Sequence, residues 1–134
     1  MKLRVETEIN PTEVPEKVEA ALKMIFPTLN FDRVGNFLVG ESTDVYSLAR
    51  FYQILRQQMI LDTARRVMRA NRKGNLTMMS LNKQVAAVSR VSFTNGESPL
   101  GPITVRLEDP EIERLIDYLA PRTRGGRPIQ EMVY

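Results

Sequence analysis

Lys2-Leu-Arg-Val-Glu-Thr-Glu-Ile9 sets how the rest of the chain is read, because Leu3, Val5, Thr7 and Ile9 alternate with Lys2, Arg4, Glu6 and Glu8. A two-residue period marks a strand that buries one face and turns the other to solvent or a ligand. Asn10-Pro-Thr12 follows as a turn with an N-cap, and Val14, Val18, Ala21, Leu22, Ile25 and Phe26 then recur at helical spacing until Pro27. Residues 29–33 and 36–41 read as two strands around Val34-Gly35, a hairpin in which glycine takes positive φ cheaply. Ser42 or Thr43 is placed to cap the next helix.

Residues 44–73 are helical in pattern, but the stripe through Leu48, Tyr52, Leu55 and Met59 is out of phase with the one through Ile60, Ala64, Val67 and Asn71. A break near Arg56-Gln-Gln58 accounts for the shift, and Gly74 ends the second helix as a C′ residue. Three strands are predicted at 76–81, 88–93 and 103–107, and Asp109-Pro110 opens a last helix through Ile112, Leu115, Ile116 and Leu119. The order is βαββααβββα. Strands in hairpins with helices grouped between them predict an α+β fold, a mixed or antiparallel sheet covered on one face by helices. The chain of 134 residues divides into a single domain at 1–120 and a basic tail at 121–134, whose Arg122-Thr-Arg-Gly-Gly-Arg-Pro128 lacks periodicity and reads as flexible, or as a short arm reaching RNA.

The chain has no cysteine, hence neither disulfides nor thiolate metal sites, and no histidine. No apolar run approaches a membrane span, and the alternating start is unlike a signal peptide, so a cytoplasmic protein is expected. The net charge of +3 conceals an uneven distribution. From Arg65 to Arg106, the cations Arg65, Arg66, Arg69, Arg72, Lys73, Lys83, Arg90 and Arg106 face Glu97 alone. Such a concentration suits a phosphate backbone, where neutralisation by Arg and Lys releases counterions.

The densest part is Asp62-Thr-Ala-Arg-Arg-Val-Met-Arg-Ala-Asn-Arg-Lys73. Arg65, Arg69 and Arg72 step by four and three along one helical face, flanked by Arg66 and Lys73, and guanidinium forks grip phosphate oxygens bidentately. The plainer reading is a solvated helix face with Asp62 paired to Arg65 or Arg66. One acid cannot neutralise five bases, however, and mutual repulsion at this spacing is a cost that a polyanion would offset.

Leu48-Ala-Arg-Phe51, Leu55-Arg-Gln-Gln-Met-Ile-Leu-Asp-Thr-Ala-Arg65, Leu81-Asn-Lys-Gln-Val-Ala-Ala-Val88 and Glu97-Ser-Pro-Leu-Gly-Pro-Ile103 together resemble an archaeal family of uncharacterised proteins, family 0201. That family is described as RNA-binding and, in some accounts, as an exosome subunit. The resemblance runs from Lys2 to about Ala120, and its most specific parts are Leu-Asn-Lys-Gln and Ser-Pro-Leu-Gly-Pro-Ile. The chain departs from it at Met78-Met79-Ser80, in the strand before Leu-Asn-Lys-Gln. The resemblance implies a fold similar to that of the ribosomal protein that binds the large subunit's small RNA.

Asn82-Lys83-Gln84 falls between two predicted strands, where loop amides and an ammonium can bond sugars, phosphates or base edges. Ser98-Pro-Leu-Gly-Pro102 reads as a rigid connection rather than an anion site. Phe26, Phe51, Tyr52 and Phe93 occupy apolar positions of their elements, which leaves few rings for stacking and favours structured or double-stranded RNA over single strands. Without histidine or cysteine the commonest bases and nucleophiles are missing. The pairs Glu6 with Glu8, and Glu113 with Asp117, read as solvated surface before they read as Mg²⁺ ligands. There is no phosphate-binding glycine loop. The expectation is a non-enzymatic RNA-binding domain without cofactor or metal, using Arg65, Arg66, Arg69, Arg72, Lys73, Lys83, Gln84 and Arg90. The alternative is an assembly module that docks an acidic protein or forms a homodimer through a sheet edge.

Overall fold

The computed structural model describes residues 1–97 and 99–134; Ser98, which opens the expected Ser98–Pro102 connection, lies outside them. The chain forms β1 (Lys2–Glu8), α1 (Pro15–Ile25), β2 (Phe31–Val34), β3 (Phe37–Ser42), a 3₁₀ turn (Val45–Leu48), α2 (Ala49–Gln57), α3 (Leu61–Ala70), β4 (Leu76–Asn82), α4 (Lys83–Ala86), β5 (Pro102–Glu108) and α5 (Ile112–Leu119). A short hairpin of β6 (Thr123–Arg124) and β7 (Arg127–Pro128) completes it. Strands β2-β3-β1-β5-β4 make one five-stranded sheet in which every pairing is antiparallel, the α+β arrangement expected.

The two-residue period of β1 runs across the sheet. Leu3, Val5 and Thr7 lie opposite Leu107, Val105 and Ile103 of β5, which in turn face Thr77, Met79 and Leu81 of β4, and all nine are buried. Against this surface pack Leu22, Ile25 and Phe26, Phe51, Ile54 and Leu55, Leu61, Ala64 and Met68, and Leu115, Ile116 and Leu119. Burial of each large apolar side chain contributes about 1.5–3 kcal/mol, so this layer dominates stability. On β3, Gly40 lies under Phe31, and a Cβ there would come within 2.8 Å of the ring. The sheet's other face carries Arg4, Glu6, Glu41, Arg106 and Met78, with Arg4 paired to Glu6 and Glu41.

The helix break expected near Arg56-Gln-Gln58 is present: α2 stops at Gln57, Met59 takes φ +55°, and α3 begins at Leu61. Asp44, rather than Ser42 or Thr43, caps the turn before α2, its carboxylate accepting from Tyr46 N at 2.9 Å. Asn71 is the C-cap of α3, and Gly74 sits in the following turn, where Lys73 and Leu76 pair.

Two larger elements of the expected fold also need correction. Residues 88–93 do not form a strand. The Asn82 side chain accepts from Val85 N at 3.1 Å and caps α4, and Ser89 takes φ +60°. Further on, Gln58 takes both backbone groups of Val91, its amide donating to the carbonyl and accepting from the N–H at 2.8 Å each. A side chain thus stands where a neighbouring strand would, and the segment touches β4 through a single bridge, Leu81 to Phe93. The tail at 121–134 is folded, not loose: its hairpin and last residues bind α2, α3 and α5 through contacts described below.

Candidate nucleic-acid interface

Helix α3 buries Leu61, Ala64 and Met68, and the Thr77 hydroxyl of edge strand β4 donates to Met68 O at 2.5 Å. That contact fixes the helix's rotation and turns its arginines away from the sheet. Arg65, Arg69 and Arg72 do share a line, as their spacing predicts, but the line runs beside the carboxylates of α5, with Arg65 largely covered and Arg69 and Arg72 exposed. Arg65 donates to Asp117 at 2.7 Å and to Ala120 O at 3.1 Å, and its side chain is only 14% exposed. Arg72 is hydrogen-bonded to Glu113, and Arg69 stands 4.0 Å from the same carboxylate. Glu113 and Asp117, one turn apart on α5, therefore anchor a ladder of guanidinium groups rather than a metal site.

Arg66 and Lys73 differ from these three. Both are exposed, and among the described residues neither has a carboxylate partner. Arg66 with Arg65, Arg69 and Asp62 lines an open depression whose other wall is Arg122, Thr123 and Ile129 of the tail. Among the described residues no aromatic side chain lines it.

The remaining predicted residues lie elsewhere. Lys83 is 4% exposed, and its ammonium donates to Glu8 O at 2.6 Å, Leu100 O at 2.9 Å and Glu13 at 3.0 Å. All three of its protons are engaged, so the expectation that it contacts RNA is overturned in favour of a role holding β1, the turn before α1 and the segment before β5 together. Burial would raise the Glu13 carboxyl's pKa, but bonds from Asn10 and the neighbouring Lys83 outweigh it and hold the group below its usual value. Gln84 is exposed and lines a separate depression with Thr12 and Lys17. Arg90 is exposed after α4 and does not line the α3 depression. Of the expected rings, Phe26 and Phe51 stack in the core at 5.9 Å, whereas the exposed ones are Phe37 and Tyr46, which the sequence pattern did not single out.

Arg122, Arg124 and Arg127, read from the sequence as part of a flexible tail or a short arm reaching RNA, lie on and beside the β6–β7 hairpin. The sequence signal for that hairpin was Gly125-Gly126 between two short flanks, a two-residue hairpin pattern.

A family model described as RNA binding matches residues 2–108. A UPF0201 protein of Sulfurisphaera tokodaii is 40% identical over 97% of this chain and 94% of its own length. Another from Pyrococcus horikoshii is 39% identical over 96% of both chains. The chain belongs to the UPF0201 family. In an Archaeoglobus fulgidus relative named UPF0200/UPF0201 protein, 39% identical, the match makes up only 41% of a longer chain. The crystal structure of the Methanococcus jannaschii UPF0201 protein superposes with a TM-score of 0.84 at 32% identity, covering 97% of this chain and all of that one. A DUF54 protein from Methanothermobacter thermautotrophicus, 18% identical with a TM-score of 0.59, shares the fold. The span matched by the family model, residues 2–108, includes α3 and ends before α5 and the tail. No described helix is long and apolar enough to cross a membrane.

Proposed function

We propose that this UPF0201 protein binds structured or double-stranded RNA, without catalysing a reaction on it, through phosphate contacts on the exposed surface of α3. The observation that carries this reading is that Arg66 and Lys73 are exposed and unpaired beside Arg69 and Arg72, inside the matched RNA-binding region. Unpaired cations in a row repel each other, and a phosphate backbone relieves that repulsion while releasing counterions. Asp117 of α5 holds Arg65 in a fixed orientation, which lowers the entropy lost when a ligand docks beside it. The absence of rings from the depression fits recognition by shape, phosphate and 2′-hydroxyl rather than by base stacking.

The test is equilibrium binding of a labelled RNA duplex, a single-stranded RNA and a DNA duplex across a salt series, with Arg66→Glu/Lys73→Glu as the variant. Neither residue holds the fold together, so the variant keeps its circular dichroism spectrum. Wild type should prefer the RNA duplex with a steep negative salt slope, and the variant should lose at least tenfold in affinity and about two units of slope. Equal binding by wild type and variant would sink the α3 assignment.

A second reading, an assembly module, is favoured by Val34 (61% exposed) and Phe37 (42%), which pair at the hairpin joining edge strand β2 to β3. A protein that binds no RNA and sediments as a dimer would replace the first reading with this one.

A further inference from the structure

We propose that the C-terminal hairpin forms the second half of the RNA site, with Arg122 beside Arg66 and Arg69 and with Arg124 and Arg127 carrying the cationic surface onward along the hairpin, to grip the phosphodiester backbone of an RNA duplex. The proposal rests on the RNA reading above, and adds residues that lie beyond the matched region 2–108.

The geometry begins with how the tail is held. Pro121 is buried, and Ala120 just before it accepts from Arg65, so the chain leaves α5 against the base of α3. The Thr123 hydroxyl bonds to Asp62 in the first turn of α3. Gly126, at φ +79°, passes over Met59 at the α2–α3 junction, where a Cβ would fall 2.7 Å from the Met59 methyl carbon. Ile129 N donates to Arg122 O at 3.0 Å and closes the hairpin. Further along, Glu131 accepts from Arg56 Nε at 2.8 Å and Nη2 at 2.7 Å, and Tyr134 bonds to Asp109 while its ring packs on Tyr118 at 5.8 Å between centroids. Every tie falls on an uncharged or acidic group of the tail, which leaves its three arginines exposed and, among the described residues, without ion pairs.

Asp62 is the only acid of α3, at the i,i+4 position that would pair with Arg66. The structure shows it bonded to Thr123, and Arg66 without an ion pair. Docking therefore brings a cationic hairpin against a cationic helix while occupying the helix's own acid. Among the described residues neither Arg66 nor Arg122 has an ion pair to offset this juxtaposition, and a polyanion lying in the depression between Arg66, Arg69 and Arg122 supplies one.

Three variants are compared with wild type for affinity to the RNA duplex across salt. Arg122→Gln/Arg124→Gln/Arg127→Gln removes the tail charges. Lys17→Gln/Lys23→Gln/Arg33→Gln removes the same charge from exposed positions outside the α3 depression. Gly126→Val/Glu131→Ala keeps every arginine and removes one negative charge, but strains the turn and breaks the tie to Arg56. We expect the first to lose about tenfold or more with a salt slope shallower by two to three units, and the second to lose less than threefold. The third should weaken binding even though its net charge is more positive, an outcome that bulk electrostatics predicts with the opposite sign. If Arg66→Glu/Lys73→Glu weakens binding and the tail variants do not, the hairpin has no part in an otherwise valid RNA site. If the first and second variants lose equally, the effect is net charge and the proposal fails. If wild type binds no RNA, the reading beneath it fails as well.

Discussion

Lys83 shows how far a residue's type can mislead about its place. In the sequence it is one cation among eight between Arg65 and Arg106, inside a motif with the polar look of a loop. In the fold its ammonium satisfies two backbone carbonyls and Glu13, drawn from segments some 17 to 75 residues away along the chain. Removing one partner from such a site leaves the others desolvated and unpaired. Lys83→Ala should therefore lower unfolding free energy by about 3 kcal/mol in urea titrations. Arg90→Ala, at an exposed position without a partner, should change it by less than about 0.5 kcal/mol. An equally small effect at Lys83 would mean its three contacts do not form. The sequence could not reveal this role, because no local pattern records that Glu8, Glu13 and Leu100 converge on one point. The crowding of Gly40 under Phe31 was hidden for the same reason, since it depends on a register that spacing alone leaves open, whereas the Asp44 cap is a local bond to Tyr46 in a run of three candidate capping residues.

At the level of elements, periodicity carried most of the fold. The phase shift between the Leu48 and Ile60 stripes located the α2–α3 junction, because a helix that changes its buried face must break. Strands β1, β4 and β5 were legible for a similar reason, since one covered face forces alternation along each, while β2 and β3 were legible from the turn at Val34-Gly35 between them. Residues 88–93 had a strand's composition, yet Gln58 supplies the backbone bonds of Val91, and composition cannot register a side chain acting as a strand. The α3 face was half legible. The alignment of Arg65, Arg69 and Arg72 was correct, but the charge count stopped short of Glu113 and Asp117, which α5 brings back across the core. This ladder makes a prediction with a definite sign. Glu113→Gln releases Arg69 and Arg72 from competition with a carboxylate at a site that is 40% exposed, so stability should change by no more than about 1 kcal/mol. RNA affinity should rise by about 1 kcal/mol, roughly fivefold, with a steeper salt slope. A fall in affinity in the folded variant would mean that the ladder's order matters more than its free charge.

For the molecule as a whole, the tail joins the last turns of the chain to α2, α3 and α5, and its ties titrate. Bonds from Arg56 hold the Glu131 carboxyl below its usual value, with burial opposing them. Burial pushes the Asp109 carboxyl upward, but the Tyr134 hydroxyl, the Glu111 amide and the Met1 ammonium more than reverse it. The Tyr134 phenol is pushed up to about 12 by burial and by its bond to Asp109. For the two carboxyls, a lowered folded pKa means their contribution is complete above their ordinary values of 4.5 and 3.8 and is lost as pH falls through the folded ones. For the phenol the sign reverses: its contribution is complete below its ordinary value of 10.0 and is lost as pH rises towards about 12. Docking of the tail should accordingly hold over a broad plateau between these limits. Near-ultraviolet circular dichroism reports it directly, since Tyr134 packs on Tyr118 and Tyr118 on Tyr52. Across the plateau the tyrosine signal should be flat, with one loss below about pH 4 and another between about pH 10 and 12. Tyr134→Phe removes the phenol that ties the tail to Asp109, so it should erase the Tyr134 part of the alkaline loss and shift the acid loss upward, because Asp109 then lacks its partner. Glu131→Gln should flatten the acid limb alone. If Tyr134→Phe left both limbs where wild type has them, the tail would be held by Arg56 and the hairpin without help from its last residue.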